Sequence, residues 1–155
     1  MTTRAVLRDI DMFRDLSDAH LDRVAAAAQA VTVRRGETIT REGEVADRLY
    51  AVLSGVVEVG RTGRDGRFIR LARLERGEVF EALKVAGAGG RAGTTVAAIV
   101  PETHLLAWEA ATLRAMMAED PALGQALLRA LVGRLSVRLH SASEAVFTLL
   151  QAMSR

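Results

Sequence analysis

The stretch Leu49-Tyr50-Ala51-Val52-Leu53-Ser54-Gly55-Val56-Val57-Glu58-Val59 sets the class of fold. Two short runs of apolar and β-branched residues flank a Ser-Gly pair, which reads as two strands joined by a tight turn. The same texture continues on both sides. Upstream lie Val31 to Val33 and Thr38 to Thr40; downstream lie Phe68 to Leu74, Thr94 to Ile99 and Leu105 to Ala107. Turn signals separate them at Arg35-Gly36-Glu37, Glu42-Gly43-Glu44 and Gly63-Arg64-Asp65-Gly66, the last carrying an Asp-Gly pair that accepts the positive φ of a hairpin. Short strands at this spacing predict an all-β sandwich or barrel across residues 30–108.

Helices are expected at both ends. Val6, Leu7, Ile10 and Phe13 fall at helical spacing and predict one short amphipathic helix from Arg4 to Phe13. Ser17 is placed to cap a second helix, whose Leu21, Val24, Ala25 and Ala28 share a face, so residues 1–29 form an N-terminal helical segment. Pro101 and Glu102 break the strand pattern, and residues 109–155 turn helical, first from about Ala110 to Ala118. Asp120-Pro121 then supplies a cap and a proline suited to the first helical position. From there to Arg155 a seam of Leu128, Val132, Leu135, Leu139, Ala142, Val146, Leu149 and Met153 recurs in steps of four and three. Arg129, Arg134, Arg138, Ser141 and Thr148 are assigned to the opposite face. The first half, with Leu127, Leu128 and Leu131, is expected to fold back on the roll. The distal half is expected to pair with a second copy in a homodimer.

Composition narrows the function. The chain has 155 residues, enough for one domain with a substantial core, and no cysteine for a disulfide, thiolate metal site or thiol nucleophile. Lys and Arg exceed Asp and Glu by 21 to 19, too small an excess to steer the chain onto nucleic acid. No run is long enough for a membrane span and no signal peptide is visible, so cytoplasmic residence is expected. His20, His104 and His140 are scattered without ligand spacing, and no nucleophile–base pair is apparent, so neither a metal site nor an enzyme is expected.

The chemistry concentrates in Gly77-Glu78-Val79-Phe80-Glu81-Ala82-Leu83 and, after a loop with Gly87, Gly89 and Gly90, in Arg91-Ala92-Gly93-Thr94-Thr95-Val96. A carboxylate at Glu81 can accept hydrogen bonds from vicinal sugar hydroxyls, and the Arg91 guanidinium can grip a phosphate. The small residues between them allow backbone N–H groups to approach an anion.

Phe13-Arg14-Asp15-Leu16-Ser17-Asp18, Arg35-Gly36-Glu37-Thr38-Ile39, the run from Arg41 to Tyr50, and Leu53-Ser54-Gly55-Val56-Val57-Glu58-Val59 together resemble the cyclic-nucleotide-binding domain of the catabolite-activator (Crp/Fnr) superfamily. The resemblance covers about Phe13 to Ala152. It implies an eight-stranded jelly-roll barrel with flanking helices and a long C-terminal dimerisation helix. It also implies that residues 77–96 are the phosphate-binding cassette, in which a Phe-Gly-Glu run supplies a ribose-binding glutamate and an Arg-Ser/Thr-Ala run holds the cyclic phosphate. Phe80, Glu81, Ala82, Leu83, Arg91, Ala92, Gly93 and Thr94 are the ligand-binding residues this implies. Ser143, in Arg138-Leu139-His140-Ser141-Ala142-Ser143-Glu144-Ala145-Val146, matches a small polar residue that approaches the base.

The cassette departs from the family pattern. Phe80 is followed directly by Glu81, so the family's glycine is either deleted or replaced. If deleted, Glu81 is the ribose ligand; if replaced, Ala82 holds that place and the contact is gone. Lys84 stands where an apolar residue is usual, Gly90 where proline is common, and no hydroxyl follows Arg91. The resemblance therefore implies a stand-alone sensor for cAMP or cGMP, with no further cofactor, that signals through its last helix. The competing expectation is a fold that has lost cAMP and cGMP and serves as a dimerising or protein-docking module, or takes another phosphate-bearing messenger. In the activators a helix-turn-helix domain follows this helix; with the sequence stopping at Arg155, direct DNA binding is not expected.

Overall fold

The computed structural model of the chain describes residues 4–87 and 90–154; Gly89 of the cassette loop and Arg155 lie outside the described residues. Helices α1 (Arg4–Arg8) and α2 (Asp18–Ala27) precede eight strands: β1 (Gln29–Arg34), β2 (Thr38–Thr40), β3 (Arg48–Ser54), β4 (Val57–Thr62), β5 (Phe68–Leu74), β6 (Val79–Phe80), β7 (Thr95–Ala98) and β8 (Glu102–Glu109). Helices α3 (Ala110–Glu119) and α4 (Pro121–Met153) close the chain.

The strands form two four-stranded antiparallel sheets, ordered β1-β8-β3-β6 and β2-β7-β4-β5, the alternation expected of a jelly roll. Each sheet keeps its own edge strands, so the result is a two-layer roll and the closed barrel is not formed. Between the layers lies one core, with Val33, Val52, Phe80 and Leu105 from the first sheet meeting Val57, Val59, Leu74, Val96 and Ala98 from the second. The outer face of the first sheet is covered by helices. There Leu49, Ala51, Leu106 and Trp108 pack on Leu7, Phe13, Leu21, Val24, Leu113, Leu123 and Leu127. Strands β3 and β8 are thus buried on both faces, which is why they read as near-continuous apolar runs. Trp108 anchors this second core: its ring meets Phe13 edge-on at 5.0 Å between centroids, and its indole N–H donates to the Val24 carbonyl at 2.8 Å.

Four local expectations are corrected. The single helix from Arg4 to Phe13 breaks after Arg8, and a 3-10 turn follows at Asp11–Phe13. Ile10 between them is extended (φ −91°, ψ 123°), which lets the Asp11 N–H donate to the Gly77 carbonyl at 3.0 Å while Ile10 and Phe13 are both buried. Tertiary contact outweighs helical periodicity here. The same crossing explains Gly77: its φ is +89°, and a Cβ would stand 2.5 Å from the Asp9 carbonyl oxygen. Second, the seven strand-like runs read above leave out Val79–Phe80, a strand of two residues paired with Tyr50 and Ala51 and too short to carry a period. Third, β8 starts at Glu102 and runs to Glu109, so Glu102 opens the strand it was expected to break. Fourth, Leu128 is 43% exposed and does not fold back on the roll, unlike Leu127 (0%) and Leu131 (4%).

Both caps form as read: Ser17 Oγ accepts from the His20 N–H at 3.2 Å, and the Asp120 carboxylate accepts from the Leu123 N–H at 3.3 Å, with Pro121 opening α4. Among the described residues no helix is long and apolar enough to cross a membrane.

Candidate functional site

Strand β6 ends at Phe80, whose ring stacks on Tyr50 at 4.9 Å between centroids. The chain then turns sharply. Glu81 adopts a left-handed conformation (φ 60°, ψ 27°), and among the described residues it is the sole non-glycine with positive φ. A 3-10 turn follows at Ala82–Ala86, held from outside by Arg114 of α3, whose guanidinium donates to the Lys84 carbonyl at 2.7 Å. On the far side of the loop, Arg91 bridges to Val45 through the backbone. Its guanidinium donates to the Gly43 carbonyl at 2.8 Å. The Ala92 N–H donates to the Glu44 carbonyl at 2.7 Å, and the Gly43 N–H donates to the Ala92 carbonyl at 2.9 Å. These bonds tie the arginine-bearing segment to the β2–β3 loop.

Between the two segments lies a hollow of about 270 Å3. Phe80, Glu81, Ala82, Leu83 and Lys84 line one side, and Arg91, Gly93 and Thr94 line another. Val59 and Val96 from the second sheet and Leu131, Arg134, Leu135 and Arg138 from α4 complete it. Glu81 and Arg91 therefore face a common cavity. The volume falls just below the usual range for small-molecule sites, roughly 300–1,000 Å3.

Of the residues singled out in the sequence, two stand outside the lining. Ala92 is buried in the turn that fixes Arg91, and Ser143 lies on an exposed length of α4. Arg134 and Arg138, assigned above to the far face of the last helix, instead line the hollow with Leu131 and Leu135. The signal was present: positions 131, 134, 135 and 138 are spaced i, i+3, i+4 and i+7, one face of a helix. The heptad seam drew attention to the neighbouring stripe. The seam residues themselves, except Leu135 at the rim of the hollow, line neither the hollow nor a core, and Leu139, Val146, Leu149 and Met153 are between 56% and 75% exposed.

The lining is electrostatically one-sided. Glu81 is its single carboxylate, against Lys84, Arg91, Arg134 and Arg138. Burial pushes the Glu81 carboxyl above its ordinary pKa, and the Lys84 charge pulls it partly back. Burial lowers the pKa of Arg134, the charge on Arg138 adding to the effect; its guanidinium donates to the Val79 carbonyl at 2.9 Å. Lys84 is 8% exposed, and its ammonium donates to the Gly90 carbonyl at 3.0 Å. Such a set can hold an anion. Among the described residues no three His, Asp or Glu side chains gather as metal ligands would.

Comparison with known proteins places this architecture. The family model for the cyclic nucleotide-binding domain matches residues 30–120, so the chain belongs to that family. A CRP-like cAMP-activated global transcriptional regulator of Mycobacterium tuberculosis is 29% identical over 143 residues, 92% of this chain and 63% of the relative. The chain thus spans a little under two thirds of that curated relative. Among solved structures, the N-terminal domain of a transcriptional regulator from Streptomyces coelicolor A3(2) is 35% identical, with a TM-score of 0.74, covering 86% of this chain and 94% of the other. The catabolite activator protein of Thermus thermophilus is 27% identical with a TM-score of 0.74, covering 90% and 62%.

Proposed function

We propose that this domain is a regulatory sensor that takes a phosphate-bearing nucleotide in the hollow between the cassette and α4, and passes on the binding through α4 in a homodimer. cAMP and cGMP are the ligands to which the family points, and the Mycobacterium tuberculosis relative is described as cAMP-activated. The observation that carries the reading is the convergence of Glu81 and Arg91 on one cavity. Arg91 is the phosphate ligand, its guanidinium steadied by the Gly43 carbonyl; Gly93 and Thr94 offer backbone and hydroxyl groups beside it. Phe80, Leu83, Val59, Val96, Leu131 and Leu135 supply apolar walls for the sugar and base. Because α4 forms one wall, a ligand that draws the cassette inward has different contacts with two positions of the helix, which is the requirement for a population shift. The protein acts without catalysis and without direct DNA contact by these residues, and it resides in the cytoplasm.

Thermal denaturation with cAMP, cGMP and their 5′-monophosphates tests this. A ligand at a hundred times its Kd stabilises by about 2.7 kcal/mol. Arg91→Ala is expected to remove about 1.5–3 kcal/mol of binding, as for loss of a charge-assisted hydrogen bond. No shift with any of the nucleotides at millimolar concentration overturns the reading.

A second reading has its own observation. Glu81 occupies the left-handed conformation that glycine takes at little cost, so position 81 is read as the replaced glycine and Ala82 as the successor of the ribose-binding glutamate. Ala82 has no side-chain acceptor. On this reading the ribose contact is lost, and the domain is a dimerising or protein-docking module in which titration with every nucleotide is silent.

A further inference from the structure

The hollow carries more positive charge than a cyclic phosphodiester can neutralise. Two of its cations are withdrawn from solvent: Lys84, 8% exposed, and Arg134, half-buried on α4. Each donates to one backbone carbonyl, of Gly90 and Val79 respectively, and among the described residues neither forms an ion pair with a carboxylate. Arg91 and Arg138 add two more cations at the same lining, and they too form no ion pair among the described residues. A buried lysine is almost always matched by a counter-charge, because an uncompensated charge away from water is costly. Glu81 is the only acid in that lining and forms no ion pair with any of the four among the described residues. Its charge and that of Lys84 still act on each other, and Asp11 and Glu78 act on Arg134 from outside the lining. A cyclic diester brings one negative charge; a phosphomonoester brings close to two at neutral pH, its second pKa being about 6.

Resting on the reading of this hollow as a ligand site, we infer that it selects a mononucleotide-sized ligand bearing a doubly charged phosphomonoester over a singly charged cyclic diester. The cations stand on two elements. Lys84 and Arg91 flank the cassette loop, and Arg134 and Arg138 come from α4, four residues apart on one helix face. A dianion held by both sets joins cassette to helix through the ligand itself. The volume of about 270 Å3 is on the scale of one small ligand rather than several.

Isothermal titration of the full chain with 5′-AMP, 5′-GMP, cAMP and cGMP at pH 7.5 and constant ionic strength separates the cases. One of the monoesters is expected to bind at least about tenfold more tightly than its cyclic counterpart, and its affinity to fall more steeply with added salt. Arg138→Gln, at an exposed site that leaves folding intact, is expected to weaken the monoester by about tenfold and the cyclic diester by less than threefold; Arg134→Gln is expected to act in the same direction. Equal or tighter binding of cAMP or cGMP overturns the inference and leaves the sensor reading standing. Silence from all four nucleotides overturns both. A monoester preference that neither arginine substitution reduces overturns the assignment to the helix cations.

Discussion

The first three turns of α4 and its last five are built from the same kind of residues and meet opposite environments. Leu123, Leu127 and Leu131 are 0–4% exposed against Trp108, Leu113 and the roll, whereas Leu139, Val146, Leu149 and Met153 are 56–75% exposed. A helix of 33 residues is about 50 Å long by its rise per residue, more than a roll of eight short strands can cover. The lesson is that one apolar period along a helix can serve two surfaces in succession. The proximal length holds the domain together; the distal length carries an apolar stripe that this domain leaves exposed. The hollow lies where the first gives way to the second, since Leu131, Arg134, Leu135 and Arg138 line it.

The largest test of that contrast is a deletion in each half. Leu127→Ala removes a fully buried side chain and is expected to cost about 2–5 kcal/mol in urea denaturation, whereas Leu149→Ala on the isolated fold costs well under 1 kcal/mol. Comparable losses at the two positions break the comparison. Next in size, the double change Leu139→Glu with Val146→Glu is expected to raise the dimer dissociation constant at least about a hundredfold while leaving the far-ultraviolet spectrum unchanged; light scattering reads the mass. A variant of unchanged mass shows that the distal stripe is not the dimer seam.

Position 81 sharpens the contrast at the junction. Glu81→Gly relieves the left-handed conformation, worth about 1–2 kcal/mol before the added chain entropy is subtracted, and so stabilises the domain by up to about 1 kcal/mol. Glu81→Gln keeps the backbone strain and removes the charge. The Glu81 pKa is raised on folding, so its ionised form opposes folding and stability falls as pH rises from the unfolded value near 4.5 through the folded one. Glu81→Gln flattens that part of the profile, and the difference between the two variants isolates the backbone cost.

The smallest effect concerns the start of α4. Asp120 is held below its ordinary pKa first by the Leu123 N–H and then by His20, whose ring nitrogen lies 2.8 Å from the carboxylate. A depressed carboxyl contributes stability that is present above its unfolded pKa and lost as pH falls below about 4 through the folded value. Asp120→Ala is expected to flatten this acid limb in thermal scans between pH 2 and 5.

Much of the fold was legible because its signals are local and repeated. The strands announce themselves as short apolar runs between glycine turns, and both helix caps form where Ser17 and Asp120 place them. The break at Ile10 was not legible, since its cause is a hydrogen bond between Asp11 and Gly77, 66 positions away. At the hollow, Glu81 and Arg91 were readable from side-chain chemistry. The backbone state of Glu81 was not, because a sequence does not display φ. Arg134 and Arg138 were misplaced because assigning a helix face from a heptad seam leaves the flanking stripe ambiguous by one residue in each turn.

The single indole of the chain sits wholly inside the helix-covered core, edge-on to Phe13 and on the opposite side of the first sheet from the inter-sheet core. Its fluorescence should be blue-shifted, closed to aqueous quenchers, and indifferent to whatever enters the hollow. One chromophore therefore follows unfolding alone, leaving calorimetry to follow binding, and the two processes can be read independently of each other.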